Sequence, residues 1–534
     1  MTDGSLVLCR RASAALFALA LSGGVRATAQ PSLQLENWKD PAPPKAPRAP
    51  CAGLRGLTGY EFSVDAAVVV PAEAGAPGFC RVVGQVPPEV RFEVSLPAAW
   101  NGRLYMFGNG GYAGESLTAS NRVARRNSAL ANGFAVAQTN TGHDADREPL
   151  ASFAGSPQKL VDYAYRAVHV TAMTAKRVAR AYYEAVPLRS YFDGCSTGGR
   201  QGLISAQRFP EDFDGIVVGA PVLDFVGTML HYAKVHRALA AAPLSEEKVR
   251  LVAEAVYRGC DATDGLADGL IADPRRCSFD SARDLPRCDA AGAAAACLSE
   301  NDLASLEAIY GDVSSNGRRL FPGFPVGAEA FAPGTAGPRS GWDPWFIRTG
   351  QATVSRTFME TFFKHMATPG TEIDWRTFDP DRDLSKLETI SAVLNATDPD
   401  LGAFRKRGGK ILMYFGWADS ALNPLMGVAY YERVRDAMGP QTSDFFRLFM
   451  MPGVFHCAGG VGPDQADTFT PLADWVERGG APDRIVASRR LEGKVVRTRP
   501  LCAYPMVARY QGSGSIDDAA SFACSAPATG GTAP

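Results

Sequence analysis

Net charge is what this 534-residue sequence has least of: 55 lysines and arginines stand against 56 aspartates and glutamates. Without a basic excess or an arginine-rich run it lacks the electrostatic footprint of a nucleic-acid binder. No internal repeat is present, which excludes solenoids and propellers. Beyond the N-terminus no apolar stretch is long enough to span a bilayer, so stable membrane insertion is not expected. Histidine is scarce, with six in the chain, so any chemistry that needs an imidazole has few candidates.

The N-terminus carries an address. Arg10-Arg11 form a basic region, Ala12 to Leu21 is apolar, and Ala27-Thr28-Ala29 is a small-residue cleavage site. This is the pattern of a secretory signal peptide over 1–29. The apolar run is too short for the alternative, a membrane anchor. Cys9 precedes that run, which argues against lipoprotein attachment. A proline-rich leader follows over 30–50, and the expected location is secreted or periplasmic. The 11 cysteines minus Cys9 leave an even number in an oxidising compartment, so five disulfides are expected. Spacing suggests Cys51–Cys80, Cys260–Cys277, Cys288–Cys297 and Cys502–Cys524 as local pairs and leaves Cys195 and Cys457. Spacing alone proves no pairing.

Strand-like runs at Arg91–Leu96, Arg103–Phe107, Phe134–Gln138, Arg189–Asp193 and Gly215–Val218 alternate with helical stretches, the longest over Leu160–Glu184. That alternation implies an α/β fold with a mostly parallel sheet. Strand patterns return at Lys410–Phe415 and Phe445–Met450 after a long helical, cysteine-bearing and aromatic-rich stretch. We therefore expect a catalytic core over 51–224 and 391–534 with a lid inserted over 225–390. An independent second domain is the alternative, and the resumed strand pattern favours insertion. The C-terminal Ser525–Pro534 reads as a flexible tail.

Gly194-Cys195-Ser196-Thr197-Gly198 reads G-x-S-x-G between a strand and a helix, the nucleophile elbow of an α/β-hydrolase core. A serine hydroxyl needs an imidazole to take its proton and a carboxylate to orient the ring. In these folds the chain order is serine, acid, histidine, each after a strand. Asp419, ending Tyr414-Phe-Gly-Trp-Ala-Asp, supplies the acid, and His456, ending Met450-Met-Pro-Gly-Val-Phe-His, the base. The other histidines fail on position. His169 lies in the long helix, and His231, His236 and His365 lie in the lid or at its edge. His143 precedes the serine and reads as structural or as part of the pocket rim. If Ser196 and His456 meet, the two leftover cysteines fall where a bridge can form. The oxyanion donors expected are the N–H groups of Thr197 and of Gly111 in the loop Gly108-Asn-Gly-Gly111, with Gly110 the alternative. A phosphate-cradling role for that loop is disfavoured, because no G-K-[ST] follows it.

A second polar constellation lies in the lid. Asp261, Asp264 and Asp268, spaced by glycines, suit a hard cation, best Ca²⁺, although the spacing is not that of an EF-hand and a solvated acidic turn is the alternative. Zinc is disfavoured because the loop offers no histidine.

The combination of Gly194-Cys-Ser-Thr-Gly-Gly-Arg-Gln-Gly202, Phe415-Gly-Trp-Ala-Asp419 and His456-Cys457 resembles the tannase/feruloyl esterase family over roughly Cys51 to Cys524. The resemblance implies a Ser196–Asp419–His456 triad, a Cys195–Cys457 disulfide, and a structural Ca²⁺ held by Asp261, Asp264 and Asp268 with the carbonyls of Leu266 and Leu270. It also implies hydrolysis of esters of small aromatic acids, such as feruloyl, galloyl or chlorogenate esters, through an acyl-enzyme. The alternative activity within the family is that of mono(2-hydroxyethyl) terephthalate hydrolase, whose pattern has glutamate where this chain has Thr197. The alternative from another class is a catalytically silent hydrolase-fold binding protein. Trp342, Trp345, Phe346, Phe358, Phe362 and Phe363 are candidate clamps for an aromatic ring, with ordinary lid core as the competing role. Arg339 and Arg348 are candidate partners for a substrate carboxylate, with plain solvation as the competing role.

Overall fold

A computed structural model describes residue 38 and residues 43–73, 75–288, 297–329, 341–348 and 350–527. The signal peptide expected over 1–29, part of the 30–50 leader, and Arg339 lie outside the described residues. Nine strands form one sheet: β1 (Ser63–Val70), β2 (Phe79–Val86), β3 (Val90–Pro97), β4 (Arg103–Phe107), β5 (Ala135–Thr139), β6 (Arg189–Cys195), β7 (Gly215–Gly219), β8 (Lys410–Gly416) and β9 (Phe446–Met451). Their spatial order is β1-β2-β3-β5-β4-β6-β7-β8-β9. The pairs up to β3–β5 are antiparallel. Every pair from β5 onward is parallel.

Parallel strands covered on both faces read as continuous apolar runs. β7 is buried throughout, and β8 everywhere but at Lys410. Their side chains join one core with the helices above and below the sheet. The helix expected over Leu160–Glu184 is interrupted. It starts at Pro157 behind Ser156, whose hydroxyl accepts from the Lys159 N–H, passes through a π-turn over Asp162–Arg166, and resumes over Ala167–Tyr183. Glu184, in the left-handed conformation at φ 51°, ends it. A π-turn releases carbonyls from the helical ladder. Arg200, wholly buried, donates to those of Tyr163 and Ala164 and to that of Leu394.

The chain between β7 and β8 leaves the sheet and returns to the neighbouring strand: Gly219 pairs with Tyr414, and the Ala220 N–H donates to the Tyr414 carbonyl at 2.8 Å. Within this excursion a buried helix, Phe225–Ala241, packs against helices Glu300–Tyr310 and Val354–Thr361. After β9, helix Phe469–Arg478 packs against β7 and β8, and strands Arg484–Leu491 and Lys494–Cys502 form an antiparallel ribbon. Disulfides join Cys51–Cys80, Cys195–Cys457, Cys260–Cys277, Cys288–Cys297 and Cys502–Cys524. Five bridges suit an oxidising, extracytoplasmic compartment. Among the described residues no helix is long and apolar enough to cross a membrane.

Burial shapes the acid stability of this fold. It depresses His143 to about 4, and His231 and His236 to about 3 each. In the unfolded chain these rings titrate near 6.5. Between the two values the unfolded chain binds protons that the native state refuses. Stability is therefore full above the unfolded value and falls as pH drops toward the folded ones. Each ring contributes a slope of about 1.4 kcal/mol per pH unit within that window. Asp162, Asp212, Asp224, Asp264, Asp268 and Glu329, whose carboxyls are raised by burial, act in the opposite sense. NMR titration is therefore the direct test: the rings of His143, His231 and His236 are expected to stay neutral down to about pH 5, and protonation of any of them near 6.5 would refute its assignment as buried and neutral.

Candidate active site

The elbow is built from backbone contacts that exclude side chains. A Cβ on Gly194 would lie 2.6 Å from the Gly198 carbonyl carbon, so strand and helix meet only through glycine. Ser196 sits at the turn with φ 62° and ψ −121°, half-buried, and is the N-cap of the helix Thr197–Arg208. A serine at an N-cap ordinarily spends its oxygen on the N2 or N3 N–H. Ser196 makes no such cap bond, so its hydroxyl is left for other chemistry. A positive φ on a non-glycine residue is strained, and it is held by the Ser196 N–H donating to the Gly219 carbonyl at 2.9 Å.

Asp419 follows β8 and is fully buried. Its Oδ1 accepts from the N–H groups of Ala421 (2.9 Å) and Leu422 (2.8 Å), and its Oδ2 faces His456 Nδ1 at 2.9 Å. A carboxylate on Nδ1 makes that nitrogen the protonated one and leaves the Nε2 lone pair to act as base. The loop after β9 that carries His456 is closed by a Val454–Gly460 bridge and by the Phe455 N–H donating to the Gly459 carbonyl at 3.1 Å. Cys457, at φ 63°, bonds to Cys195 with their Cα atoms 6.1 Å apart. The residue after the histidine is thus fastened to the residue before the serine. Nε2 lies 3.7 Å from the Cys457 sulfur. No hydrogen bond joins the Ser196 hydroxyl to the imidazole among the described residues, a link that commonly tightens only with substrate bound.

Opposite the elbow, the loop after β4 lies directly on the helix. The Gly108 N–H donates to the Asp193 carbonyl at 3.0 Å, and the Asn109 N–H to Gln201 Oε1 at 3.0 Å. Gly111 has φ +48°, and a Cβ there would meet the Phe358 ring at 3.2 Å. Thr197, as the first helical residue, has an N–H with no intrahelical acceptor, at the positive end of the helix dipole. The Thr197 and Gly111 loops thus face each other across a short gap spanned by the Thr197 hydroxyl, which donates to the Gly111 carbonyl at 2.5 Å.

With this geometry in hand, comparison with known proteins is decisive at the level of family. Residues 74–525 match the family profile for tannase and feruloyl esterase. The chain belongs to the tannase and feruloyl esterase family. It is similar to the mono(2-hydroxyethyl) terephthalate hydrolase of Piscinibacter sakaiensis, at 35% identity over 87% of each chain. It is also similar to feruloyl esterase B of Aspergillus niger, at 29% identity over 83% of this chain and 86% of that one. Among solved structures, feruloyl esterase B from Aspergillus oryzae matches with a TM-score of 0.77 and 27% identity, covering 89% of this chain and 99% of that one. The protein is a carboxylic ester hydrolase of the tannase/feruloyl esterase type with an α/β-hydrolase fold, which sets aside a silent binding protein.

The excursion between β7 and β8 brings one of the aromatic candidates to the site. The Trp345 ring stands edge-on to the His456 ring, centroids 5.5 Å apart. Trp342 and Phe346 are instead buried among other rings. Trp342 is 1% exposed and packs on Tyr310, and Phe346 is 3% exposed among Tyr232, Phe324 and His236. Phe362 and Phe363 are likewise fully buried, while Phe358 reaches the Gly111 loop. Arg348 sits 3.8 Å from the Asp343 carboxylate. Sequence reasoning missed the strut behind Trp345: His236 Nε2 lies 2.8 Å from Ser355 Oγ, which donates to the Trp345 carbonyl. It missed Gln201 and Tyr163 as well. Gln201 stood in view one helical turn after Thr197, whereas nothing in the sequence marks Tyr163.

The acidic loop follows helix Glu246–Cys260. Asp261 accepts from the N–H groups of Asp268 (3.2 Å) and Gly269 (3.0 Å), Asp264 from that of Leu266, and Asp268 from that of Leu270. Burial raises the carboxyls of Asp264 and Asp268. Asp268 also forms a buried ion pair with Arg499 at 2.5 Å. The donor set is all oxygen, which suits Ca²⁺ chemically. Among the described residues, however, no three acidic, imidazole or thiolate groups converge as a metal site, because the carboxylates are turned toward backbone amides and Arg499.

Proposed function

We propose that Ser196, His456 and Asp419 are the nucleophile, general base and orienting carboxylate of an exported serine esterase acting on esters of small aromatic acids. One observation carries this reading: the residue that follows a histidine oriented by a fully buried carboxylate is fastened by a disulfide to the residue preceding an uncapped, strained N-cap serine. In the first step Ser196 Oγ adds to the ester carbonyl while His456 Nε2 takes its proton. The developing oxyanion receives the N–H groups of Thr197 and Gly111. The imidazolium then protonates the departing alcohol as the C–O bond breaks. Water repeats the sequence on the acyl-enzyme, and the acid and free Ser196 are released. Trp345, edge-on to the base, supports an aromatic acyl group.

The relatives supply the substrate classes to test. A feruloyl esterase B relative supports phenolic acid esters, and the 35% identical relative supports terephthalate monoesters as the second reading. Steady-state kinetics on methyl ferulate, methyl gallate, chlorogenate and mono(2-hydroxyethyl) terephthalate separates them by kcat/KM. No turnover of any of the four, with no labelling of Ser196 by a fluorophosphonate, would refute the proposal.

We also propose a Ca²⁺ held by Asp261, Asp264 and Asp268 with the carbonyls of Leu266 and Leu270, bracing the lid without entering the chemistry. It would bring positive charge to a loop in which burial raises the carboxyls of Asp264 and Asp268. A ligand at a hundredfold excess over its Kd stabilises by about 2.7 kcal/mol. Excess chelator is therefore expected to lower the melting temperature by a few degrees, with recovery on adding Ca²⁺ but not Mg²⁺. An unchanged melting temperature refutes the site.

A further inference from the structure

Gly111 is the residue in the site whose backbone is least restrained by its own chemistry, having no side chain and a φ of +48°. Yet both of its peptide planes are fixed. The Gly110 carbonyl accepts from the Ala113 N–H at 2.8 Å, and in a trans peptide this turns the Gly111 N–H to the opposite side. The Gly111 carbonyl accepts from two hydroxyls, Thr197 Oγ1 at 2.5 Å and Tyr163 Oη at 3.1 Å. Tyr163 is delivered by the π-turn and pinned by Arg200, whose guanidinium stacks on its ring at 5.0 Å. Gln201, one turn after Thr197 on the same helix face, holds the other end of the loop through the Asn109 N–H.

We propose that the Thr197 side chain is a positioning residue for ester hydrolysis: its hydroxyl, with that of Tyr163, ties the Gly111 loop to the nucleophile helix and so sets the spacing of the two oxyanion donors. The same residue then acts at both walls of the hole, with its N–H on the oxyanion and its O–H on the loop opposite. Only the transition state carries a full charge between the two donors. A loosened loop therefore lowers kcat and leaves ground-state binding nearly intact. This inference rests on the Ser196 reading above.

The test compares Thr197→Val, which keeps the shape and removes the donor, with Thr197→Ser, which keeps the donor. Kinetics on p-nitrophenyl acetate are read together with the affinity of a trifluoromethyl ketone that forms a tetrahedral adduct on the serine. Losing an oxyanion donor outright costs about 10²–10³ in kcat, and losing its tether is expected to cost Thr197→Val about 10- to 100-fold. KM is expected to stay within about threefold, ketone affinity to fall by the same factor as kcat, and Thr197→Ser to return kcat to near the parent value. Tyr163→Phe, which leaves the elbow untouched, is expected to show a smaller loss of the same kind and keeps the idea testable if Thr197→Val does not fold. Parent kcat in both Thr197→Val and Tyr163→Phe overturns the inference, as does a kcat loss that serine fails to restore. Ser196→Ala run alongside separates the two ideas. If it is inert while Thr197→Val and Tyr163→Phe are both normal, only the tether falls; if it turns over ester like the parent, the catalytic reading falls and takes the tether with it.

Discussion

Asp419→Asn is expected to lower kcat by about 10⁴-fold with little change in KM, on the scale seen when a triad carboxylate becomes an amide. Asp419 accepts three hydrogen bonds, two from backbone N–H groups and one from His456 Nδ1. An asparagine carboxamide keeps the volume. Its oxygen can satisfy the Ala421 and Leu422 amides, which leaves its NH₂ facing the imidazole. The ring then carries its proton on Nε2, the wrong side for taking one from Ser196. Ser196→Ala is expected to lose about 10⁶-fold and all fluorophosphonate labelling. Asp419→Asn should keep slow labelling, since the nucleophile remains. An Asp419→Asn enzyme within tenfold of the parent would show that another group orients the base.

Removal of the Cys195–Cys457 bridge, as the paired Cys195→Ala, Cys457→Ala variant, is expected to act on stability and activity together. The bridge closes a loop of 262 residues, for which chain-entropy arithmetic gives about 5 kcal/mol. Spread over a protein of this size, that corresponds to a fall in melting temperature of about 5 °C. Activity is expected to fall as well. Apart from the bridge, the His456 loop keeps its internal turn and the Gly459 N–H donating to Asp464 at 2.8 Å, contacts that fix its shape better than its distance from Ser196. A displacement of about 1 Å at a reacting group can cost about 10² in rate, and a kcat loss of that order is expected. A normal kcat would show that Asp419 alone registers the base.

Much of the site was legible because of the strands that end in it. β6, β8 and β9 are short apolar runs, and Ser196, Asp419 and His456 each lie just beyond one of them in the order the chemistry requires. β1 and β2 were not read, since Asp65 interrupts the first and Arg81, Gly84 and Gln85 interrupt the second. The π-turn at Asp162–Arg166 left no mark because the helical periodicity runs through it unchanged. The side chain that engages its freed carbonyls, Arg200, arrives from another element. Trp342, Trp345 and Phe346 were indistinguishable as sequence, three aromatic residues within five positions. Packing separates them, since two meet other lid rings while the third is carried to the imidazole on a peptide held by Ser355. The acidic loop shows the same limit, because the arginine that engages Asp268 lies far along the chain on the C-terminal ribbon.

The excursion between β7 and β8 leaves the sheet after Gly219 and re-enters it at Lys410 beside Gly215, so the returning chain must run back the length of β7. Ser196 precedes that excursion and Asp419 and His456 follow it, whereas Trp345, edge-on to the imidazole, is encoded inside it. Exchange of that one contiguous segment would change what surrounds the imidazole while leaving the three proposed catalytic side chains in their own stretches of chain.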